Sequence, residues 1–148
     1  MQHSDNNNPG AWTRLWPISY AIPPIAWAGV IFLLSSVPAS GYEGASRYLA
    51  WLPWRSYFVH GGLYFILGGL TLRLLNRARF RLGWLTAAQS AVLIATSYGL
   101  SDEYHQTFVD GRDFSLLDLL ADLLGACAAA GAWAAWGRIR SDWRAKRA

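Results

Sequence analysis

Charge is scarce in this chain of 148 residues: Asp, Glu, Lys and Arg make up 15%, against roughly 25% in a soluble domain, while 53% of residues are hydrophobic. Cys127 is the only cysteine, which excludes a disulfide-stapled secreted domain. The apolar content excludes a disordered chain. It also leaves too little solvated surface for a basic nucleic-acid module, although the sequence pI is near 9.6. Known catalytic signatures are missing as well. H-E-x-x-H, G-x-S-x-G, G-x-x-x-x-G-K and C-x-x-C do not occur, which removes zinc proteases of that type, lipase-like hydrolases, P-loop enzymes and thioredoxin-like sites. No single helix carries metal-ligand spacing, so neither a metal nor a cofactor is expected; His60, Glu103, His105 and Asp122 are the ligand types at hand.

What is present is four apolar stretches: Pro17 to Val37, Tyr57 to Asn76, Leu82 to Ser101 and Ser115 to Gly137. Each is long enough for a hydrocarbon core that takes about 20 helical residues to cross. The first and third contain no Asp, Glu, Lys, Arg or His. A helix satisfies its own backbone in lipid, and the alternation of barrel strands is missing. The expected fold is therefore all-α, a polytopic membrane protein with a bundle of four transmembrane helices. Pro23 and Pro24 predict a kink or a late start in the first helix.

Orientation follows from the basic residues. Arg14, the Arg77/Arg79/Arg81 loop and the tail with Arg138, Arg140, Arg144, Lys146 and Arg147 hold nine of the 13 Lys and Arg. Only Arg47, Arg55 and Arg112 flank the opposite side, so both termini are expected in the cytoplasm. Trp12, Trp16, Trp84, Trp133 and Trp136 fall at the inner boundary, and Trp51 and Trp54 near the outer one. The Val37-Pro38-Ala39 stretch looks like a cleavage site, but the apolar segment before it is too long for a signal peptide and reads as a retained span. The resulting organisation is a disordered tail over residues 1–14, a membrane domain over 15–137 and a basic cytoplasmic tail over 138–148.

Helical spacing then sorts the polar residues. Ala87, Ala91, Ala95 and Gly99 form a small-residue stripe that lets another helix approach, and if the helix continues outward the stripe runs on to Glu103 and Gln106. Ala121, Gly125 and Ala129 repeat the device in the fourth span, beside Asp118 and Asp122. In the second span His60, Tyr64 and Gly68 share one face. A carboxylate facing lipid is expensive, roughly 2.5 to 3.5 kcal/mol at a helix centre, so these groups should turn toward one another. Ser115 is a suitable N-cap with Asp118 in the manner of a capping box, and Arg112 is the cation placed to fork onto Asp118 or Asp122. Simpler roles stand beside these: Asp118 as a helix-end charge, His60 as a hydrogen-bonded helix-end residue, Asp102 and His105 as solvated groups, and the stripes as packing.

Glu103-x-x-Gln106, Gly111-Arg112, Ser115, Asp118 and Gly125-Ala126 resemble the hallmark segment of the VanZ-like family of small bacterial membrane proteins. Ser35-Ser36-Val37-Pro38 and the His60/Tyr64 pair are similar to its weaker motifs. The likeness covers roughly residues 25–131. The family often has Pro before Gly-Arg, Asn where Asp122 stands, and Asp-Lys where Ser56 and Tyr57 stand. The resemblance implies a multi-pass protein of the bacterial cytoplasmic membrane, related to an accessory factor in teicoplanin resistance.

The leading expectation is an outward-facing polar pocket of His60, Tyr64, Glu103, Gln106, Arg112, Asp118 and Asp122. It would bind an envelope lipid headgroup, a lipid-linked envelope precursor, a glycopeptide or a partner, with the lipid bilayer as surroundings and no nucleic acid. Two alternatives are a membrane enzyme using Glu103 or Asp122 with His60 in acid–base chemistry on a lipid-linked substrate, and a purely structural polar network.

Overall fold

The computed structural model describes residues 12–42, 55–77 and 82–145. Four helices fill them: α1 (Trp12–Ser35), α2 (Arg55–Arg77), α3 (Trp84–Gln106) and α4 (Leu116–Ala145), with a short 3-10 turn at Ala39–Tyr42. No strand occurs among the described residues. Glu43, Arg47, Trp51, Trp54, Arg79, Arg81, Lys146, Arg147 and the first eleven residues, which hold most of the expected N-terminal tail, lie outside them.

The bounds depart from the sequence reading in two places. First, α1 does not start late: it begins at Trp12 and continues through Pro23 and Pro24. Proline's fixed φ is compatible with a helix. Just past the prolines, Trp27 Nε1 donates to the Leu63 carbonyl at 2.9 Å and Tyr98 Oη donates to the Ala28 carbonyl at 2.7 Å, tying α1 to α2 and α3. Second, α4 does not end at Gly137. It runs to Ala145 through most of the basic segment, where arginines suit the negative end of the helix dipole and Arg140 lies 5.5 Å over the Trp136 ring one turn earlier.

Small residues set the helix spacing. A Cβ on Gly125 would collide with the Gly61 carbonyl oxygen, and one on Gly68 would come within 3.0 Å of Ala126 Cα. Backbone-to-backbone approach of α2 and α4 therefore requires glycine at both places. Below this crossing, Leu72 packs on Ala87, Ala88 and Ala91, with Leu75 and Ala130 beside them. Further up, Ile31, Tyr64, Leu67, Ala95 and Ala126 form a second apolar layer drawn from all four helices.

The exterior is apolar too: Ile25, Leu33, Phe58, Leu93 and Leu116 are each more than 60% exposed. A soluble bundle would place polar residues there. Ser56–Arg77 and Leu116–Ser141 are long and apolar enough to cross a membrane. An apolar exterior around a core that also buries His60, Asp102, Glu103 and Asp122 fits a protein whose solvent is lipid.

Candidate functional site

The polar residues gather at one end of the bundle, where α1 ends, α2 begins, α3 ends and α4 begins. On α3 the buried row Ala91, Ala95 and Gly99 continues directly into Asp102, Glu103 and Gln106, because the helix persists past Ser101 to Gln106. The sequence reading made this continuation a condition, and it is met. Glu103 and Asp122 are fully buried, and His60, Asp102, Gln106 and Ser35 are each less than a tenth exposed.

At the centre, His60 Nδ1 lies 3.0 Å from Asp122 Oδ1 and 3.9 Å from Glu103 Oε1. An ionised carboxylate can only accept, so against ionised Asp122 the imidazole donates through Nδ1. Single ligand atoms of His60, Glu103 and Asp122 all lie within 4.8 Å of one another. Glycine makes room for this: a Cβ on Gly99 would stand 2.6 Å from Asp122 Oδ2. The stripe on α3 thus serves as packing over Ala87 to Ala95 and as clearance for a carboxylate at Gly99.

Around the centre is a shell of donors. Ser115 N–H donates to Glu103 Oε2 at 2.8 Å, and Gln106 Nε2 donates to Glu103 Oε1 at 3.3 Å and to Asp102 Oδ2 at 3.2 Å. Ser35 Oγ, from the end of α1, donates to the same Asp102 oxygen at 2.7 Å. Arg112 Nε donates to Gln106 Oε1 at 3.1 Å, so it reaches the centre through an amide.

The capping box expected at Ser115 is divided among three helices. Asp118 N–H donates to Ser115 Oγ at 3.1 Å as a cap requires, but the Ser115 N–H goes to Glu103 and the Asp118 carboxylate accepts from Ser56 Oγ at 3.0 Å. The N-terminus of α4 is thereby fixed to α3 and α2.

Three members of this end were missed in the sequence. Asp102, read as solvated, is buried beneath Ser35 and Gln106. Ser35 and Ser56 were read as part of a motif and as a departure from one, yet each holds a carboxylate. No local signal pairs Ser35 with Asp102; the intramembrane cost of an unpartnered acid was the one available hint. His105 stands apart, stacked at 4.6 Å on Phe32 and 3.1 Å from Ser36 Oγ through Nε2. Of the four residues weighed as metal ligands, His60, Glu103 and Asp122 meet.

Satisfaction is incomplete. Tyr64 Oη, Asp102 Oδ1 and Asp122 Oδ2 are buried without a hydrogen-bond partner. Tyr64 lies one turn from His60 on the same face of α2 and is fully buried, 6.4 Å from the Tyr98 ring between centroids.

An all-helical bundle with an apolar exterior, two helices long and apolar enough to cross a membrane and a histidine–carboxylate centre buried at one end fits the class of small helical membrane proteins with an internal polar site. The family model described as VanZ/LLP1 matches residues 20–137, and the chain belongs to that family. None of the curated proteins and none of the solved structures compared with the chain matches it.

Proposed function

We propose that this VanZ-family protein crosses the bacterial cytoplasmic membrane four times with both termini inside. In this reading its polar end faces outward and binds a polar component of the cell envelope: a lipid headgroup, a lipid-linked precursor or a glycopeptide such as teicoplanin. Family membership supports the setting. The observation that carries the reading is the pooling of Ser35, His60, Asp102, Glu103, Gln106 and Asp122 from four helices at one buried end. Polar groups at such depth are kept against their solvation cost, and function is the usual reason. Tyr64, Arg112 and Asp118 border the same end.

The test is teicoplanin susceptibility of a sensitive host expressing the chain. Wild type raises the inhibitory concentration, and Arg112→Ala, made at equal membrane abundance, returns it to the host value. Equal susceptibility with and without the chain would remove the resistance role. Cysteine-accessibility labelling in a Cys127→Ser background reads the topology: Ser56→Cys reacts with an impermeant maleimide on intact cells and Arg138→Cys does not.

A second reading, an enzyme on a lipid-linked substrate, is favoured by one contact. Asp122 holding His60 Nδ1 at 3.0 Å is the pairing that fixes an imidazole for proton transfer at its other nitrogen. Turnover of an envelope lipid by wild type, lost in Asp122→Asn, is its expected signature.

A further inference from the structure

We propose that His60, Glu103 and Asp122 form a binding site for one divalent transition-metal cation of the Zn2+/Mn2+ class. The site deepens the reading above by naming what the polar end holds, but it does not depend on whether an envelope ligand binds there.

Charge balance is the first reason. Three carboxylates, Asp102, Glu103 and Asp122, are buried together, and His60 is the only basic side chain buried among the described residues. With His60 neutral the cluster carries three negative charges if all are ionised; with His60 protonated it still carries two. Isolated charges in a low-dielectric interior are so unfavourable that they neutralise or find a counter-charge. With His60 neutral and bound to it, a dication brings the three ionised carboxylates to a net charge of one negative, the state that a single proton on His60 cannot reach.

Geometry is the second. Bonds of about 2.0–2.1 Å to nitrogen and oxygen place neighbouring donors of a tetrahedral ion roughly 3.3 Å apart. The separations of 3.0 Å between His60 Nδ1 and Asp122 Oδ1 and 3.9 Å between His60 Nδ1 and Glu103 Oε1 lie on either side of that spacing, and since the three ligand atoms spread over no more than 4.8 Å, a small inward shift of Glu103 closes the set on one ion. One imidazole with two carboxylates is a ligand set for Zn2+ or Mn2+ rather than for a thiol-seeking metal. It supplies three protein ligands and leaves a position open, as in catalytic zinc sites.

The unpartnered atoms are the third. Asp122 Oδ2 is fully buried with no donor, and so is the Tyr64 hydroxyl one turn below His60. Asp122 can therefore offer a lone pair on Oδ2 as well as on Oδ1 to an ion. Glu103, by contrast, is oriented by the Ser115 N–H and Gln106, as outer partners orient metal-binding carboxylates. On binding, the ion takes the place of the proton between His60 Nδ1 and Asp122 Oδ1. The imidazole then holds its one proton on Nε2, and any proton displaced from the centre goes to solvent.

The test uses the full chain in detergent, stripped with chelator and titrated calorimetrically with ZnCl2 and separately with MnCl2, with bound metal counted after desalting. One ion per chain is expected. His60→Ala and Asp122→Asn should weaken binding at least about a hundredfold, since loss of an outer partner alone costs ten- to a hundredfold. His105→Ala, which removes the imidazole at the end of α3, outside the cluster, should bind as wild type does. Circular dichroism of each variant separates lost ligands from lost fold, and where His60→Ala does not fold, Asp122→Asn carries the comparison. A folded wild type that takes up neither ion would overturn the proposal, as would uptake unchanged in folded Asp122→Asn or abolished in His105→Ala. Metal uptake with no change in teicoplanin susceptibility would sustain the site while refuting the resistance role.

Discussion

The two ends of the bundle, an apolar one that is inner and a polar one that is outer in the topology proposed above, use the same small residues to opposite purposes. At the inner end, Ala87, Ala88 and Ala91 let α3 close on Leu72, and the space is filled with hydrocarbon. At the outer end the same stripe reaches Gly99, where the space is filled by the Asp122 carboxylate, followed by the buried Asp102 and Glu103. The inner end is filled mainly by packing, with Asn76 Nδ2 donating to the Leu72 carbonyl at 2.9 Å, while the outer end retains unpartnered oxygens on Asp102 and Asp122. One end is built for stability, and the other holds polar groups that packing would have excluded.

The sharpest way to break this comparison is at the boundary between the ends. Gly125 meets the Gly61 carbonyl with no room for a side chain, and the opposing atom is backbone that cannot rotate away. Gly125→Ala should therefore lower stability by about 3 kcal/mol or more and separate α2 from α4 at both ends, read as loss of the cooperative thermal transition in detergent. A fully retained midpoint would mean that the two helices are not in backbone contact.

Next in size is the inner end by itself. Leu72 is fully buried among alanines that cannot grow to fill a void, so Leu72→Ala should cost about 2–5 kcal/mol. Metal uptake and any effect on susceptibility should persist wherever the variant remains folded, because the polar centre lies beyond an intervening apolar layer. Loss of metal binding at unchanged fold would show the ends to be coupled.

A smaller effect is expected where α1 joins the outer end. Ser35→Ala removes the 2.7 Å donor to Asp102 and leaves Gln106 to serve that oxygen. A buried acceptor that loses one of two donors should cost about 1–3 kcal/mol, seen in the same thermal midpoint. Ser36→Ala, one residue on and facing His105, is the matched comparison and should cost less because Ser36 is more exposed.

How much of this was legible in the sequence follows from which interactions are local. The 3.6-residue period was enough to place Ala91, Ala95, Gly99 and Glu103 on one face, and His60 with Tyr64 on another. The cost of acids in lipid was enough to turn Asp122 inward, and the N-cap at Ser115 was readable from three residues. What was not legible is settled between helices. Asp102 differs from its neighbour Glu103 in nothing local; it is buried because Ser35, 67 residues earlier, ends α1 above it. The capping box is divided because Glu103 takes the Ser115 N–H and Ser56 takes Asp118, choices that only the approach of three helices can make. Pro23 and Pro24 signalled a late start, but the tertiary bonds of Trp27 and Tyr98 hold α1 helical past them.

The smallest expected effect on stability comes from the residue most central to the outer end. Glu103→Gln keeps the shape and leaves an amide oxygen to accept from the Ser115 N–H, while Gln106 retains Asp102. It also removes one negative charge from a fully buried position beside Asp102 and Asp122, which relieves both the cost of burying that charge and its repulsion by the two other carboxylates. The metal-free midpoint should therefore stay within about 0.5 kcal/mol of wild type or rise. Metal uptake should fall sharply in the same variant, because an amide is a much poorer ligand than a carboxylate. A metal-free midpoint lower by several degrees would instead mean that the charge itself holds α3 to α4, and the outer end would then differ from the inner only in the kind of contact that stabilises it.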